Sequence, residues 1–403
     1  MNATPNKLST ESERWAGEIG VRFPNLSKPV ATVLAMFSWG VMRAESCGRF
    51  RVASQLAIER REQVRTIEQR LYEWLVDAGH KSGKKRRDWQ VDQCFAPLLK
   101  WIISLWQERR IGLALDATSC GPEFTILVIS VVYRHMGLPV AWKVHRGDQA
   151  GGWNAIWLSL LDSIRGQIPA DWTTLVLTDR GLFSRVLFEK IRSFGWHPYM
   201  RINVDGTFQV RSRKRLKPYQ KITNLIRSKS AAHAVNGFAF QGKAALACTL
   251  TWCSDSRHAT PWVILTDLPP KQSDAYWYGL RAWCEQGFKC LKRGTWQWQR
   301  TRVTDPTRAD RCWLVLAVVT LWVVAIGSQF ESDPELSRLF TGWLQASSTS
   351  KYPVLRLATL GLLLFNSPHL NSNRLFPTRL SPCSWPSRPK SPAKFTIRKN
   401  LPP

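Results

Sequence analysis

The sequence predicts a mixed α/β protein, a sheet with helices on its faces preceded by a helical region. Three observations predict it. From about residue 111 to 203, apolar β-branched runs and helical periodicity follow one another in the order β-β-β-α-β-α-β. Before residue 100, apolar residues recur at intervals of three and four. After about Asp274, strong helical periodicity returns and runs to Phe330.

In order, "KPVATVLAMFSWGVMRAE" and "EQVRTIEQRLYEWLVDAG" each carry an apolar stripe at helical spacing. The basic run "HKSGKKRRDW" then reads as a solvated or phosphate-contacting loop, and "DQCFAPLLKWIISLWQERR" as an amphipathic helix. "IGLALDATS", "FTILVISVVYRH" and "LPVAWKVHRG" are three strands with short Gly- or Pro-containing links. "GGWNAIWLSLLDSIRG" is a helix, "TTLVLTDRGL" a strand, "FSRVLFEKIRSFG" a helix and "HPYMRIN" a strand. From about 203 to 270, short strands and basic loops suggest a β-rich insertion. "DPELSRLFTGWLQ" and "VLRLATLGLLLF" read as further helices. From Arg374 onward, seven Pro, seven Lys or Arg and no acid predict a disordered tail. The expected divisions are thus 1–100, helical and basic; 101–330, the α/β core with its insertion; 331–373, helical; and 374–403, the tail. A helix-turn-helix within 28–60 is one reading of the first division.

The charge balance narrows the partner. The 57 Lys and Arg exceed the 29 Asp and Glu by 28, which points to a polyanion, nucleic acid first and an acidic membrane surface second. The 21 Trp and 17 Phe could stack on bases, although aromatic residues more often fill a core. Nine scattered cysteines include no C-x-x-C pair, which argues against a zinc site and for reduced thiols in the cytoplasm. The first residues lack the basic-then-apolar order of a secretion signal. "CWLVLAVVTLWVVAIG", Cys312 to Gly327, is uncharged but shorter than the roughly 20 residues of a membrane span. It reads as a buried core helix, with a membrane segment as the alternative.

In so basic a chain, acids in apolar strands stand out. Asp116 lies inside "LALDATS" and Asp179 ends "LVLTD"; both must be paired or desolvated there. Each alone could be a hydrogen-bonded structural acid. Glu285 is the third, in "YGLRAWCEQGFKCLKR". Tyr278, Arg281, Glu285, Lys289 and Lys292 are spaced 3, 4, 4 and 3, which predicts one helical face. One Glu among three bases is not an alternating ladder. A carboxylate flanked by cations suits a phosphate held beside a metal ion. Three carboxylates without a His or Cys cluster favour Mg²⁺, for which Mn²⁺ can substitute. Two such ions about 4 Å apart support in-line displacement at phosphorus.

Tyr278-x2-Arg281-x3-Glu285-x6-Lys292 matches the Y-R-E-K signature of the DDE transposases of bacterial insertion sequences. "LALDAT" and "LTDRG" resemble that family's two Asp motifs, and the resemblance covers about residues 100–330. It implies a ribonuclease H-like core in which Asp116, Asp179 and Glu285 bind two Mg²⁺. It also implies that Tyr278, Arg281 and Lys292 contact DNA phosphates and that Trp262, in "PWVILTDLP", stacks on a flipped base. The implied activity is a hydrolytic nick at the element's end, a hairpin made by the freed 3′-hydroxyl, and joining to target DNA. The implied partner is double-stranded DNA, both terminal repeats and target, bound by a homodimer on the nucleoid in the bacterial cytoplasm. A nuclease that cuts without joining, or an inactive DNA-binding relic, are the alternatives.

Overall fold

The computed structural model describes residues 7–81, 87–149, 151–211, 216–227, 232–242, 245–254, 260–334, 338, 355–367 and 374–387. The chain divides into two compact units: 1–173 with 282–383, and 174–281 with 384–403.

The first unit opens with five helices: α1 (Lys7–Arg22), α2 (Lys28–Ala44), α3 (Arg49–Arg60), α4 (Val64–Leu75) and α5 (Phe95–Leu105). Pro29 in the first turn of α2 fits there because the first N–H groups of a helix need no intrahelical partner. The predicted strands follow as β1 (Arg110–Cys120), β2 (Phe124–Tyr133) and β3 (Met136–Arg146), an antiparallel meander. Its turns are tight. Gly121 takes φ +68°, and Arg134 and His135 form a two-residue turn with φ +40° and +68°. Such a turn normally favours Asn-Gly. Here Arg134 pairs with Glu331 at 3.0 Å and the His135 ring packs on Trp283 at 4.8 Å. α6 (Asn154–Ser163) completes this stretch.

After the second unit the chain returns as α9 (Ala282–Lys292), α10 (Pro306–Glu331) and α11 (Leu355–Phe365). Asp305 caps α10 by accepting the Arg308 N–H at 2.9 Å. α10 contains the uncharged run. It is long and apolar enough to cross a membrane, but 94% of its apolar window is buried inside the protein, as expected of a core helix. Gly327 and Gly361 let α10 and α11 approach backbone to backbone. The same core takes in Arg311, 2% exposed, which donates to Leu75 O, Asp77 Oδ1 and Trp89 O and lies over the Trp89 ring.

The second unit holds β4 (Thr173–Thr178), whose first residue is the boundary, α7 (Arg185–Ser193), β5 (His197–Arg201), β6 (Thr207–Arg211), β7 (Leu216–Lys221), α8 (Ile222–Arg227), β8 (Ala232–Ala239), β9 (Leu246–Cys253) and β10 (Trp262–Thr266). Its strands run β4-β5-β10-β9-β8-β6-β7. Among the described pairings of these strands only β4 and β5 are parallel, joined by α7 as a parallel pair requires. Leu250, Trp252, Ile264 and Tyr199 are buried within this unit.

The predicted mixed α/β class holds, and β1-β2-β3-α6-β4-α7-β5 reproduces the predicted order. Two expectations change. The chain from 374 to 387 is not a loose tail: the Trp322 Nε1–H donates to Leu375 O at 2.7 Å, Leu380 N–H to Leu105 O, and Leu375, Leu380 and Cys383 are buried. Prolines deny this segment a helix or strand, but not burial of its apolar side chains. Residues 388–403 lie outside the described residues, as do 82–86 of the basic run and most of the helix expected at 333–345. The second change concerns the signature helix. It begins only at Ala282; Tyr278 and Arg281 belong to a 3₁₀ stretch, Ala275–Arg281. Of the five residues expected on one helical face, α9 therefore carries Glu285, Lys289 and Lys292, while Tyr278 and Arg281 lie in the 3₁₀ stretch of the second unit.

Candidate active site

In the first unit, Asp116 occupies the middle of β1 and is 9% exposed. Its Oδ1 accepts the Ala117 N–H at 3.0 Å. The strand register decides which way it faces. Asp116 pairs with Val128, Ala114 with Ser130, Cys120 with Phe124, and Val132 with Gly137. Paired residues share a face, and residues two apart along a strand do also. A Cβ on Gly137 would lie 3.4 Å from Ser130 Cβ and 3.0 Å from Cys284 Cα of α9. At the other end of β1, Lys292 lies close enough to Cys120 to lower its pKa, although burial dominates and drives that thiol up to about 12. α9 therefore crosses the face of the meander to which Asp116 points. Contact this close needs glycine on both sides: a Cβ on Gly287 would meet the Gly137 backbone at 2.6–3.0 Å.

α9 buries Cys284, Gly287, Phe288 and Leu291 and turns Glu285 and Lys289 to solvent, with Lys292 half-buried. Glu285, Lys289 and Lys292 are four and three residues apart, one helical face. A carboxylate and two ammonium groups on α9 thus lie on the same side of the meander as Asp116.

In the second unit, Asp179 follows β4 directly and caps a single 3₁₀ turn, its Oδ1 accepting the Gly181 N–H at 3.0 Å. Its Oδ2 is 3.6 Å from the Arg281 guanidinium. The Asp179 side chain is 44% exposed and that of Arg281 only 15%, so the pair presents its carboxylate. Tyr278 is buried, and burial pushes its hydroxyl up to about 12 against the pull of Arg281 and Arg201. Its ring meets Trp262 edge-on at 5.4 Å. Trp262, half-buried at the start of β10, packs on Cys253, Ala275 and Tyr276. Arg201 is the member of this corner that sequence reasoning missed. Its guanidinium lies 5.8 Å from the centroid of the Tyr278 ring, and it pairs across strands with Ile264. The available signal was β alternation: Tyr199 and Arg201 share one face of β5, which ends at Arg201.

Asp116 and Glu285 belong to the first unit and Asp179 to the second. Among the described residues, no group of three or more His, Cys, Asp or Glu could hold a metal ion. All three are carboxylates, the donor type that suits a hard cation.

The family described as "Transposase DDE domain" matches residues 112–322. No curated protein matches the sequence. Among solved structures, a piggyBac transposase synaptic complex with hairpin DNA is 11% identical, with a TM-score of 0.38, over 92% of this chain and 81% of that one.

Proposed function

The chain belongs to the transposase DDE-domain family, and we propose that it cleaves and joins DNA at the ends of a bacterial insertion sequence. The observation that carries this reading is the placement of α9 over the face of β1 that bears Asp116. The reading takes Asp116 and Glu285, both on that side of the meander, as two of the metal-binding carboxylates, with Lys289 and Lys292 beside Glu285 on α9.

In this proposal Asp116, Asp179 and Glu285 hold two Mg²⁺ or Mn²⁺ ions. When bound, these would polarise the attacking oxygen and offset charge on the leaving one. Lys289 and Lys292 neutralise backbone phosphates beside Glu285. In the absence of an ion, Arg281 offsets the charge on Asp179; with DNA bound, its guanidinium serves the phosphate nearest the cut, whereas Tyr278, buried as it stands, would reach a phosphate only if its hydroxyl were uncovered. Trp262 offers a ring for a base turned out of the stack, with Tyr278 bracing it from behind. Water attacks phosphorus at the element's end and releases a 3′-hydroxyl. That hydroxyl attacks the opposite-strand phosphodiester, closing a hairpin on the element and freeing the flanking DNA with a 3′-hydroxyl, and a second hydrolysis opens the hairpin before the element's 3′ end joins target DNA. Each step exchanges one phosphodiester oxygen for another, so no oxidant or energy donor is needed. Double-stranded DNA is the partner, and two copies would pair two element ends on the nucleoid.

The test uses the purified chain, Mg²⁺ and duplexes carrying the gene's own flanking repeats. Hairpins and joined products are expected. Glu285→Gln and Asp116→Asn should lose cleavage while keeping duplex affinity, and chelating Mg²⁺ should have the same effect on the native protein. Cutting at the native rate by Glu285→Gln would end the metal-ligand assignment. Cleavage without joining would identify a nuclease instead.

A further inference from the structure

A second positively charged site lies away from α9, wholly within the first unit. A cleft of about 810 Å³ opens between α3, α4 and the strap that leads from α9 to α10. Arg49, Arg51, Arg300, Arg302 and Arg308 line it, against one lining carboxylate, Glu68. Glu68 is engaged by Arg49 at 3.3 Å. Asp305, next in the chain after the lining residue Thr304, is occupied in capping α10. Arg51, Arg300 and Arg302 are exposed, and among the described residues no carboxylate pairs with them. Tyr72 forms part of the wall between two guanidinium groups, Arg49 at 5.1 Å and Arg308 at 5.4 Å from its ring.

The strap is held in place before any ligand arrives. Cys47 N–H donates to Trp296 O at 2.9 Å, Trp296 Nε1–H to Thr320 Oγ1 at 3.0 Å, and Gly48 lies against Arg300 Cβ. Gln297 and Arg302, which flank the 3₁₀ turn Trp298–Thr301 within it, adopt left-handed backbone with φ of 55° and 52°. Non-glycine residues hold that conformation only where their surroundings impose it. The arginines are thus displayed on a shaped, fixed support rather than scattered over a surface.

We infer that this cleft binds the sugar-phosphate backbone of duplex DNA, without reading bases and independently of the metal-binding carboxylates. Five guanidinium groups exceed what one small anion can use, and their planar forks match successive phosphates. The DNA-transposase reading supplies only the identity of the polyanion.

The experiment is fluorescence anisotropy with a labelled duplex of arbitrary sequence, without divalent ions, across a range of NaCl concentrations. Arg300→Gln/Arg302→Gln should flatten the slope of log K against log salt by about 1.8, and Arg51→Gln alone by about 0.9, one phosphate per charge. All three side chains are exposed, so the thermal midpoint should not move. The matched control is Arg109→Gln/Arg379→Gln, two exposed arginines outside the cleft, which should leave the slope unchanged. An unaltered slope in the cleft variants overturns the inference, as does an equal loss in the control. Failure of the native protein to bind any duplex would overturn the transposase reading as well, so the two failures are distinguishable.

Discussion

Asp310 shows what burial does to a single acid here. It sits in the second turn of α10, and its Oδ1 accepts the Val144 N–H at 3.0 Å while Lys143 stands 3.6 Å from Oδ2. Burial raises its pKa to about 6, with Lys143 and the Val144 N–H opposing. An unfolded Asp titrates near 3.9. Between about pH 4 and pH 6 the native state therefore holds a proton that the unfolded chain has lost. The contribution of this group to stability falls as pH rises through that window and is flat above it. Two pKa units correspond to roughly 2–3 kcal/mol. Asp310→Asn should thus gain on the native protein by about that much between pH 4 and pH 7, read from denaturant unfolding at both. A stability gap that does not change with pH would show that the carboxyl is not buried as described. Nothing in "DPTRADRCW" announces this residue, because its burial is decided by where α10 docks on β3. Asp116 and Asp179 were legible because an acid in a β-branched apolar run conflicts with its neighbours. Arg281 as the partner of Asp179 was not legible, because a hundred residues separate them.

At the scale of elements, the contact between α9 and β3 depends on two glycines. Ala normally stabilises a helix interior over Gly by about 1 kcal/mol. At Gly287 the added methyl would meet the Gly137 backbone, which cannot yield as a side chain can. Overpacking of this kind costs typically 1–3 kcal/mol and should win. Gly287→Ala is expected to lower the denaturation midpoint, whereas Gly17→Ala in α1, with nothing within 4 Å of the new methyl, should raise it. A stabilised Gly287→Ala would mean that α9 does not lie this close to β3. Most elements could be read from periodicity alone. The start of the signature helix could not, because a spacing of three satisfies 3₁₀ and α turns alike. The 374–387 segment misleads for a different reason: its prolines and charges resemble disorder, while Leu375, Leu380, Cys383 and Trp385 supply the apolar anchors.

Over the whole molecule, composition narrowed the partner before any motif did. All nine cysteines are buried, so their thiols add apolar volume to the interior. Lys and Arg exceed Asp and Glu by 28, and among the described residues exposed bases gather on α9 and around the arginine cleft. Composition says nothing of where that excess concentrates, since the cleft joins arginines some 250 residues apart. A surface of this kind should bind duplex DNA chiefly by releasing condensed counterions, so affinity should depend steeply on salt and weakly on sequence. If six to ten phosphates are neutralised, raising salt from about 50 to 200 mM should weaken binding by roughly 10³–10⁵-fold. Glu285→Gln should leave that dependence as steep or slightly steeper, because it removes a negative charge from a phosphate-binding face, whereas Lys292→Ala should flatten it by about 0.9. Binding isotherms of the three proteins on one duplex separate these cases. A shallow dependence in the native protein would mean that the charge excess is not what holds DNA, and recognition would then have to rest on base contacts.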